Sequence, residues 1–181
     1  MTIATARTLI VPYTEQLELD FIKLHCCPVN RAEMNGPHTI SSAKRLFQHI
    51  LSDQEGFARA ILNNQTREYM GHIFISHSEG RDELGFILDK RFWNQGIASE
   101  VVKPFFNMAR FEAELNEVVA TVNVTHNPSI KLLNKLGFEF AGTKQDEFGP
   151  YHEYRYSELS EKKITFYEAA AQNASREIQS W

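Results

Sequence analysis

The feature that most constrains the fold of this chain is the order in which strand-type and helix-type segments follow one another. Two apolar segments, 57–62 and 69–76, flank the polar turn 63–66, and this pattern predicts an antiparallel hairpin. The next strand, at 83–89, leads through a glycine turn into an amphipathic helix at about 97–112. The order predicts a domain built around one mixed sheet.

The segments before the hairpin alternate between extended and helical patterns. We expect a strand, a helix, a loop and a second helix, in that order, at 8–11, about 14–25, 26–40 and about 42–52. Ser41 and Ser42 are the expected caps of the second helix.

The segments after helix 97–112 continue the same alternation. We expect a strand, a helix and two last strands, at 118–124, 128–135, 138–142 and 151–157. Pro128 should open the helix and Gly137 should end it, while Pro104 should kink the helix before it. Together these elements indicate an α+β domain.

The last segment differs because its apolar residues recur every three or four positions. These residues are Ile164, Tyr167, Ala171, Ala174, Ile178 and Trp181. We therefore divide the chain into a domain at 1–159 and a C-terminal helical extension at 160–181. The seam fits a helix docked on its own domain, a helix that pairs two chains in a homodimer, or a partly ordered tail.

The composition argues against several classes of protein. The net charge of -4 does not suit broad phosphate neutralisation, so we expect no nucleic-acid partner. Because no apolar run reaches about 18 residues and no secretion signal is visible, we expect a cytoplasmic protein without a membrane contact. Neither the adjacent Cys26 and Cys27 nor the scattered histidines have metal-site spacing, so no metal is expected.

The strongest local signal for chemistry is the turn Gln95-Gly96-Ile97-Ala98 between a strand and a helix. Glycine lets the backbone approach a ligand closely, and the free N–H groups at a helix start favour an anion such as phosphate. The turn lacks the lysine of a P-loop and the three glycines of a dinucleotide fingerprint. On its own it indicates a phosphate site of unspecified kind.

A second motif about 30 residues later makes the pattern more specific. The stretch Trp93…Gly96-Ile97-Ala98…Glu100 is preceded by Glu83-Leu84-Gly85-Phe86 and followed by Ser129…Lys135-Leu136-Gly137-Phe138. In this order and spacing, the chain resembles the GNAT family of acetyl-CoA-dependent N-acetyltransferases over roughly residues 7–159. Within that family it is similar to the RimJ/RimL branch, the ribosomal-protein N-terminal acetyltransferases.

The resemblance implies a fold and a cofactor site. The fold is a GNAT-like acyl-CoA N-acyltransferase fold, with a mixed, mostly antiparallel sheet whose fourth and fifth expected strands, 83–89 and 118–124, splay apart. The pantetheine arm of acetyl-CoA would lie in that opening, with its pyrophosphate on the amides of the turn. The implied cofactor-binding residues are Phe86, Ile87, Leu88, Gln95, Gly96, Ile97, Ala98, Ser99, Asn127 and Ser129. His126 and Asn127 both remain candidates for one of these contacts, because His126 occupies the place of the family asparagine and Asn127 follows one residue later.

The resemblance also implies catalytic roles. Ser129 would donate a proton or hydrogen bond to the leaving thiolate, because Leu133 stands where many members of the family carry a tyrosine. Glu147 would be the base that deprotonates the amine, with Glu83 as its rival, and Asn123 would orient the substrate amine.

The implied activity is direct acetyl transfer from acetyl-CoA to a primary amine in a ternary complex. The acceptor that we expect is the α-amine of a protein N-terminus. A small-molecule amine is one alternative, and a non-catalytic acyl-CoA-binding regulator is another. The loop 26–40, in which Glu33 is the single carboxylate, would determine the choice of acceptor.

Overall fold

The structure, a computed structural model that describes residues 1–53 and 56–158, is organised around one eight-stranded sheet. Its strands are β1 (Ile3–Ala4), β2 (Thr8–Pro12), β3 (Phe57–Asn63), β4 (Tyr69–Ser78), β5 (Arg81–Leu88), β6 (Glu117–Asn123), β7 (Glu139–Asp146) and β8 (Gly149–Ser157). They lie in the order β1-β2-β3-β4-β5-β6-β8-β7. The β5–β6 pair is parallel and the other neighbouring pairs are antiparallel, which confirms the expected mixed sheet.

The two parallel strands separate at a defined point. Between them only Glu83 and Val119 are in register. Beyond that pair, β5 stays beside β4 as far as Leu88, and β6 stays beside β8 as far as Asn123. A gap therefore opens between β5 and β6 toward the carboxyl ends of both strands. We call this gap the V, and it is the splay that the resemblance implied.

Four helices in the described part of the chain cover the two faces of the sheet. Helices α1 (Glu18–Cys26) and α2 (Ile40–Ser52) pack on one face, and α3 (Ile97–Glu112) and α4 (Asn127–Lys135) pack on the other. The larger buried cluster lies under α3 and α4. The side of α3 that faces it contributes Val101, Val102, Phe105, Phe106 and Ala109. Helix α3 runs unbroken through its internal proline.

The face under α1 and α2 is built from aromatic and imidazole rings. Phe21 and His25 of α1 stack with ring centroids 3.9 Å apart, and His25 meets His72 of β4 edge to face at 5.3 Å. The Tyr13 hydroxyl lies 2.8 Å from the Tyr69 hydroxyl and 2.9 Å from Nδ1 of His72. These hydrogen bonds offset the cost of burying the polar atoms between the sheet and the two helices.

The structure corrects the expected start of the chain. Strand β1 was not expected, because two residues are too few to show an alternating pattern. The helix expected at about 14–25 is a 3₁₀ turn at 15–17 followed by α1. Helix α2 is capped by Thr39, whose hydroxyl oxygen accepts the Ser42 N–H at 3.1 Å, and not by a serine.

The structure also corrects the last hairpin. Strand β7 does not end at Gly142 but continues to Asp146, with an irregular register between Phe140 and Gly142. Strand β8 begins at Gly149, two residues earlier than expected. Only residues 147 and 148 therefore connect the two strands.

Three further expectations concern the C-terminal extension, a membrane contact and a metal. The expected extension at 160–181 lies outside the described residues, and so does the choice between a docked helix, a homodimer contact and a partly ordered tail. Within residues 1–53 and 56–158, no helix is long and apolar enough to cross a membrane, and no group of three His, Cys, Asp or Glu is arranged to hold a metal ion.

The buried histidines make the stability of the fold depend on pH. His25 is 2% exposed, and its Nδ1–H donates to the Phe21 carbonyl at 2.9 Å. Burial lowers the pKa of His25 to about 4, and burial also holds the pKa of His72 well below its usual value. As the pH falls from about 6.5 toward 4, the unfolded chain binds a proton at His25 that the folded chain does not. The free energy of unfolding should then decrease by about 1.4 kcal/mol per pH unit for this residue.

We predict that His25→Asn, whose amide can replace the donor to Phe21, reduces this pH dependence. Urea unfolding at pH 7.5, 6.0 and 5.0 measures it. Phe47→Leu is the control, because it destabilises the same cluster without removing a titrating group. An equal loss of stability with pH in wild type and His25→Asn would contradict the prediction.

Candidate cofactor and acceptor site

The two arms of the V both lead into helices at the same edge of the sheet. β5 continues through the loop 89–96 into α3, and β6 continues through residues 124–126 into α4. Because β5 and β6 are parallel, their carboxyl ends lie side by side, and the N-termini of α3 and α4 start from that edge. In open sheets this crevice between the carboxyl ends of diverging strands is where ligands bind.

The β5 arm directs backbone groups that are not paired with β4 toward the V. The Asp89 N–H donates to the Met70 carbonyl on β4 at 2.8 Å. Backbone groups alternate sides along a strand, so those of Leu88 and Phe86 face the V, whereas those of Ile87 face β4. The contact of Trp93 is consistent with this alternation. Its indole N–H donates at 2.9 Å to the Leu88 carbonyl, which is therefore not paired with β4. Of the three strand residues predicted to bind the cofactor, two therefore present backbone to the V.

The loop that follows β5 ends in an exposed turn with left-handed backbone. Asn94 has φ 58° and Gly96, the N-cap of α3, has φ 75°. No side chain caps the helix, so its first amides are available to an anion. Ile97 is buried in the α3 cluster and Ala98 packs against it. Gln95, Gly96 and Ser99 are exposed.

Sequence analysis did not identify one contact of this turn, in which the Arg7 side chain joins the turn to helix α3. The Arg7 guanidinium donates from Nη1 to the Gln95 carbonyl at 2.7 Å and from Nε to Glu100 at 2.7 Å. Glu100 belongs to the motif that carried the resemblance, but nothing in the sequence pairs it with Arg7, 93 positions away. Partial burial opposes ionisation of Glu100, yet hydrogen bonds from Thr5 and Arg7 lower its pKa.

Glu83 lies at the closed end of the V, on the face covered by α1 and α2. Side chains alternate along β5, and the nearby Ile87 packs on Leu24 of α1, so Glu83 points to the same face. Its carboxylate is half-buried and accepts the Thr121 hydroxyl of β6 at 2.7 Å. This bond crosses from one arm of the V to the other.

The other predicted base, Glu147, lies elsewhere. It is exposed, in the two-residue turn between β7 and β8. Among the described residues its carboxylate has no hydrogen-bond partner. The structure therefore does not bring Glu147 and Glu83 together, and only Glu83 borders the V.

The α1–α2 loop (residues 27–39) connects the two arms at the open end of the V. Asn30 is 6% exposed, donates to the Asp89 carboxylate at 3.2 Å and accepts the Lys90 N–H at 2.8 Å, just after β5. Glu33 accepts the Asn123 side-chain amide at 2.7 Å, at the end of β6. The loop thus lies across the V on the face of the sheet that carries Glu83, which we call the acceptor face. Asn123, the predicted amine-orienting residue, has a loop carboxylate as its partner here.

The first turn of α4 carries the remaining predicted residues. His126 is the N-cap, without a side-chain cap hydrogen bond, and Asn127 is exposed. Ser129 is half-buried within that turn, and its hydroxyl has no partner among the described residues. Ser129 is therefore not occupied as a helix cap, and its hydroxyl is free to contact a ligand.

A group of basic side chains extends the acceptor face beyond Glu83. Glu153, opposite Thr121 on β8, is 3% exposed. It accepts from Arg81 at 3.1 Å and from Lys144 at 2.5 Å. The lysine hydrogen bond is the main cause that lowers the pKa of Glu153. Because both cations are about half exposed, their other N–H donors remain available to an anionic group.

Three comparisons with known proteins agree with this geometry. The family model described as "Acetyltransferase (GNAT) domain" matches residues 7–139. The chain is 30% identical to an uncharacterised N-acetyltransferase, p20, of Bacillus licheniformis over 151 residues, which is 74% of this chain and 85% of that protein. It is 24% identical to the L-amino acid N-acetyltransferase AaaT of Escherichia coli over 142 residues, 75% of this chain and 85% of that protein.

A solved structure supports the same fold. The chain superposes with a TM-score of 0.70 on RimL, a ribosomal L7/L12 alpha-N-protein acetyltransferase in complex with coenzyme A. The match covers 87% of this chain and 98% of RimL at 18% sequence identity. At that identity, the likeness concerns the fold.

Proposed function

This chain belongs to the GNAT family and is an N-acetyltransferase, and on that premise we propose that it acetylates the α-amine of a protein N-terminus. The family uses acetyl-CoA, which supplies the acetyl group as an activated thioester. The observation that carries the proposal is the V, where free strand backbone, an uncapped helix start and a carboxylate border one gap.

The residues around the V offer hydrogen-bonding groups of the types that coenzyme A requires. An extended chain with amide groups, such as pantetheine, can pair with the backbone of Phe86 and with the Leu88 N–H as an added strand would. The amides from Gln95 to Ser99 suit the pyrophosphate. Ser129 would donate a hydrogen bond toward the leaving sulfur, and Asn127 or His126 would contact the cofactor from α4.

Glu83 is the group that we propose as the base. The amine must lose a proton to attack a thioester, and a positioned carboxylate can accept that proton directly or through one water. Glu83 is on the arm where pantetheine would bind, and Thr121 fixes one of its oxygens. Glu147 stays the rival base. To act, it would need the turn between β7 and β8 to bring its carboxylate to the acceptor amine.

The acceptor face supports a peptide acceptor because it is open. Beyond Glu83, Thr121 on β6 and Lys144 on β7 are exposed, with β8 between these strands, so an extended chain can lie across the sheet with its N-terminus at the V. RimL, which has the same fold, is named for an alpha-N-protein acceptor.

A small amine that carries a carboxylate is a second candidate acceptor. The observation that favours it is the pair Arg81 and Lys144, which Glu153 orients on the acceptor face. A free amino acid could place its amine near Glu83 and its carboxylate near these cations. The relative AaaT is named as an L-amino acid N-acetyltransferase.

We predict that Glu83→Gln lowers kcat by about 10²- to 10³-fold while the KM for acetyl-CoA changes little, because a base acts in the transition state. Glu147→Gln should change kcat less than about twofold. Initial rates from pH 6 to 9, with thiol release as the readout, test both variants. If Glu147→Gln loses the larger share of kcat, the base assignment is wrong.

An acceptor panel tests the proposed acceptor. We predict acetyl-CoA-dependent thiol release with short peptides that have free N-termini, and none with the same peptides blocked by N-acetylation. Each L-amino acid is compared with the amine that lacks its carboxylate, in wild type and in Lys144→Gln. Turnover of amino acids but not of their amines, weakened in Lys144→Gln, would select the second candidate over the first. Turnover of no amine at all would contradict both.

A further inference from the structure

The turn between β1 and β2 lies against the start of α3 through one carboxylate. Glu100 accepts the Thr5 hydroxyl, the Arg7 backbone N–H at 2.7 Å and Arg7 Nε at 2.7 Å. Its side chain is 16% exposed, whereas that of Arg7 is 48% exposed. Glu100 therefore fixes the direction of an arginine that is itself largely in solvent.

That direction places Arg7 on the backbone of the turn at the open end of the V. Its Nη1 donates to the Gln95 carbonyl at 2.7 Å. Its other terminal nitrogen lies 3.6 Å from where a Cβ of Gly96 would be. The guanidinium thus joins the helix, through Glu100, to the peptide that precedes the helix.

The bond to Gln95 determines where the next amide points. In a trans peptide the carbonyl and the following N–H point in opposite directions, so a carbonyl held toward Arg7 turns the Gly96 N–H away from it. This turn has no strand ladder to fix its peptides, and Asn94 and Gly96 have positive φ. Without Arg7 the Gln95–Gly96 peptide has fewer contacts that oppose its rotation.

We propose that Arg7 is a positioning residue for acetyl-CoA, which orients the Gly96 amide toward the pyrophosphate and adds a positive charge behind the turn. The proposal rests on the proposed function, in that the turn is taken to bind the pyrophosphate. Glu100 holds Arg7 in place, and neither residue needs to touch the cofactor.

A purely structural role would give a different result. The Arg7 side chain is about half exposed, and Glu100 keeps the Thr5 hydroxyl and the Arg7 backbone N–H as donors, so removal of the Arg7 side chain should leave the fold nearly as stable. Its effect should instead appear on donors that carry a pyrophosphate. S-Acetylpantetheine has the same thioester and pantetheine arm but no pyrophosphate, and it separates the two roles.

The test compares acetyl-CoA with S-acetylpantetheine in Arg7→Ala, Arg7→Lys and Glu100→Gln. We expect Arg7→Ala to raise the KM for acetyl-CoA by about tenfold or more, since it removes charge-assisted hydrogen bonds. Arg7→Lys keeps the charge but cannot bridge Glu100 and Gln95 together, so it should restore only part of the affinity. The kcat/KM for S-acetylpantetheine should change less than about twofold in every variant.

Arg45→Ala is the matched control, because Arg45 is an exposed arginine of α2 whose described bond is to Ser41. It should leave both donors unaffected. Equal losses with the two donors, or an unchanged KM for acetyl-CoA in Arg7→Ala, would overturn the proposal. If Arg7→Ala does not fold, Arg7→Lys and Glu100→Gln carry the same comparison.

Calorimetric binding of coenzyme A and of pantetheine separates this proposal from the proposed function. A loss of coenzyme A affinity in Arg7→Ala, with pantetheine unaffected, supports the role of Arg7 even if no acceptor is acetylated. An unchanged affinity for coenzyme A overturns it even if acetylation is found. A wild-type protein that binds neither compound contradicts both proposals.

Discussion

The rest of the structure depends on the separation of β5 from β6 after their single registered pair, Glu83 and Val119. A strand that leaves its neighbour exposes N–H and C=O groups, and such groups need partners wherever water is excluded. The Trp93 indole satisfies the Leu88 carbonyl, while the backbone of Phe86 faces the V. The gap is therefore a set of directed donors and acceptors, which an extended amide-containing ligand can match.

Because the two arms lack a ladder between them, polar side chains from distant parts of the chain connect them. Thr121 and Glu83 form a bond across the closed end. The α1–α2 loop connects the open end through Asn30 on one side and Glu33 on the other. Arg7 likewise connects the turn before α3 to the helix, through the Gln95 carbonyl and Glu100. The loop and Arg7 contacts fix segments whose backbone the sheet does not hold, and the Thr121 bond joins the two strands where the ladder between them ends.

The sequence predicted the fold well because the relevant patterns are local. The hairpin of β3 and β4, the glycine turn at Gly96 and helix α3 each follow from residues that are neighbours in the chain. The partners of Arg7, Asn30 and Glu153 could not be predicted, since periodicity does not show which distant residues meet. Glu147 illustrates the same limit, because the resemblance made it a candidate base but only the hairpin geometry shows that it occupies an exposed turn.

The most direct test of the central claim is residue-resolved hydrogen exchange by NMR, with and without saturating coenzyme A. If the V binds the pantetheine arm, exchange of the amide protons facing it, at Phe86 and Leu88, should slow on binding, together with the Gly96 amide. The Ile87 amide, already paired with β4, serves as the internal reference and should change least. Binding of coenzyme A with no protection at Phe86, Leu88 or Gly96 would contradict the account and place the cofactor elsewhere on the protein.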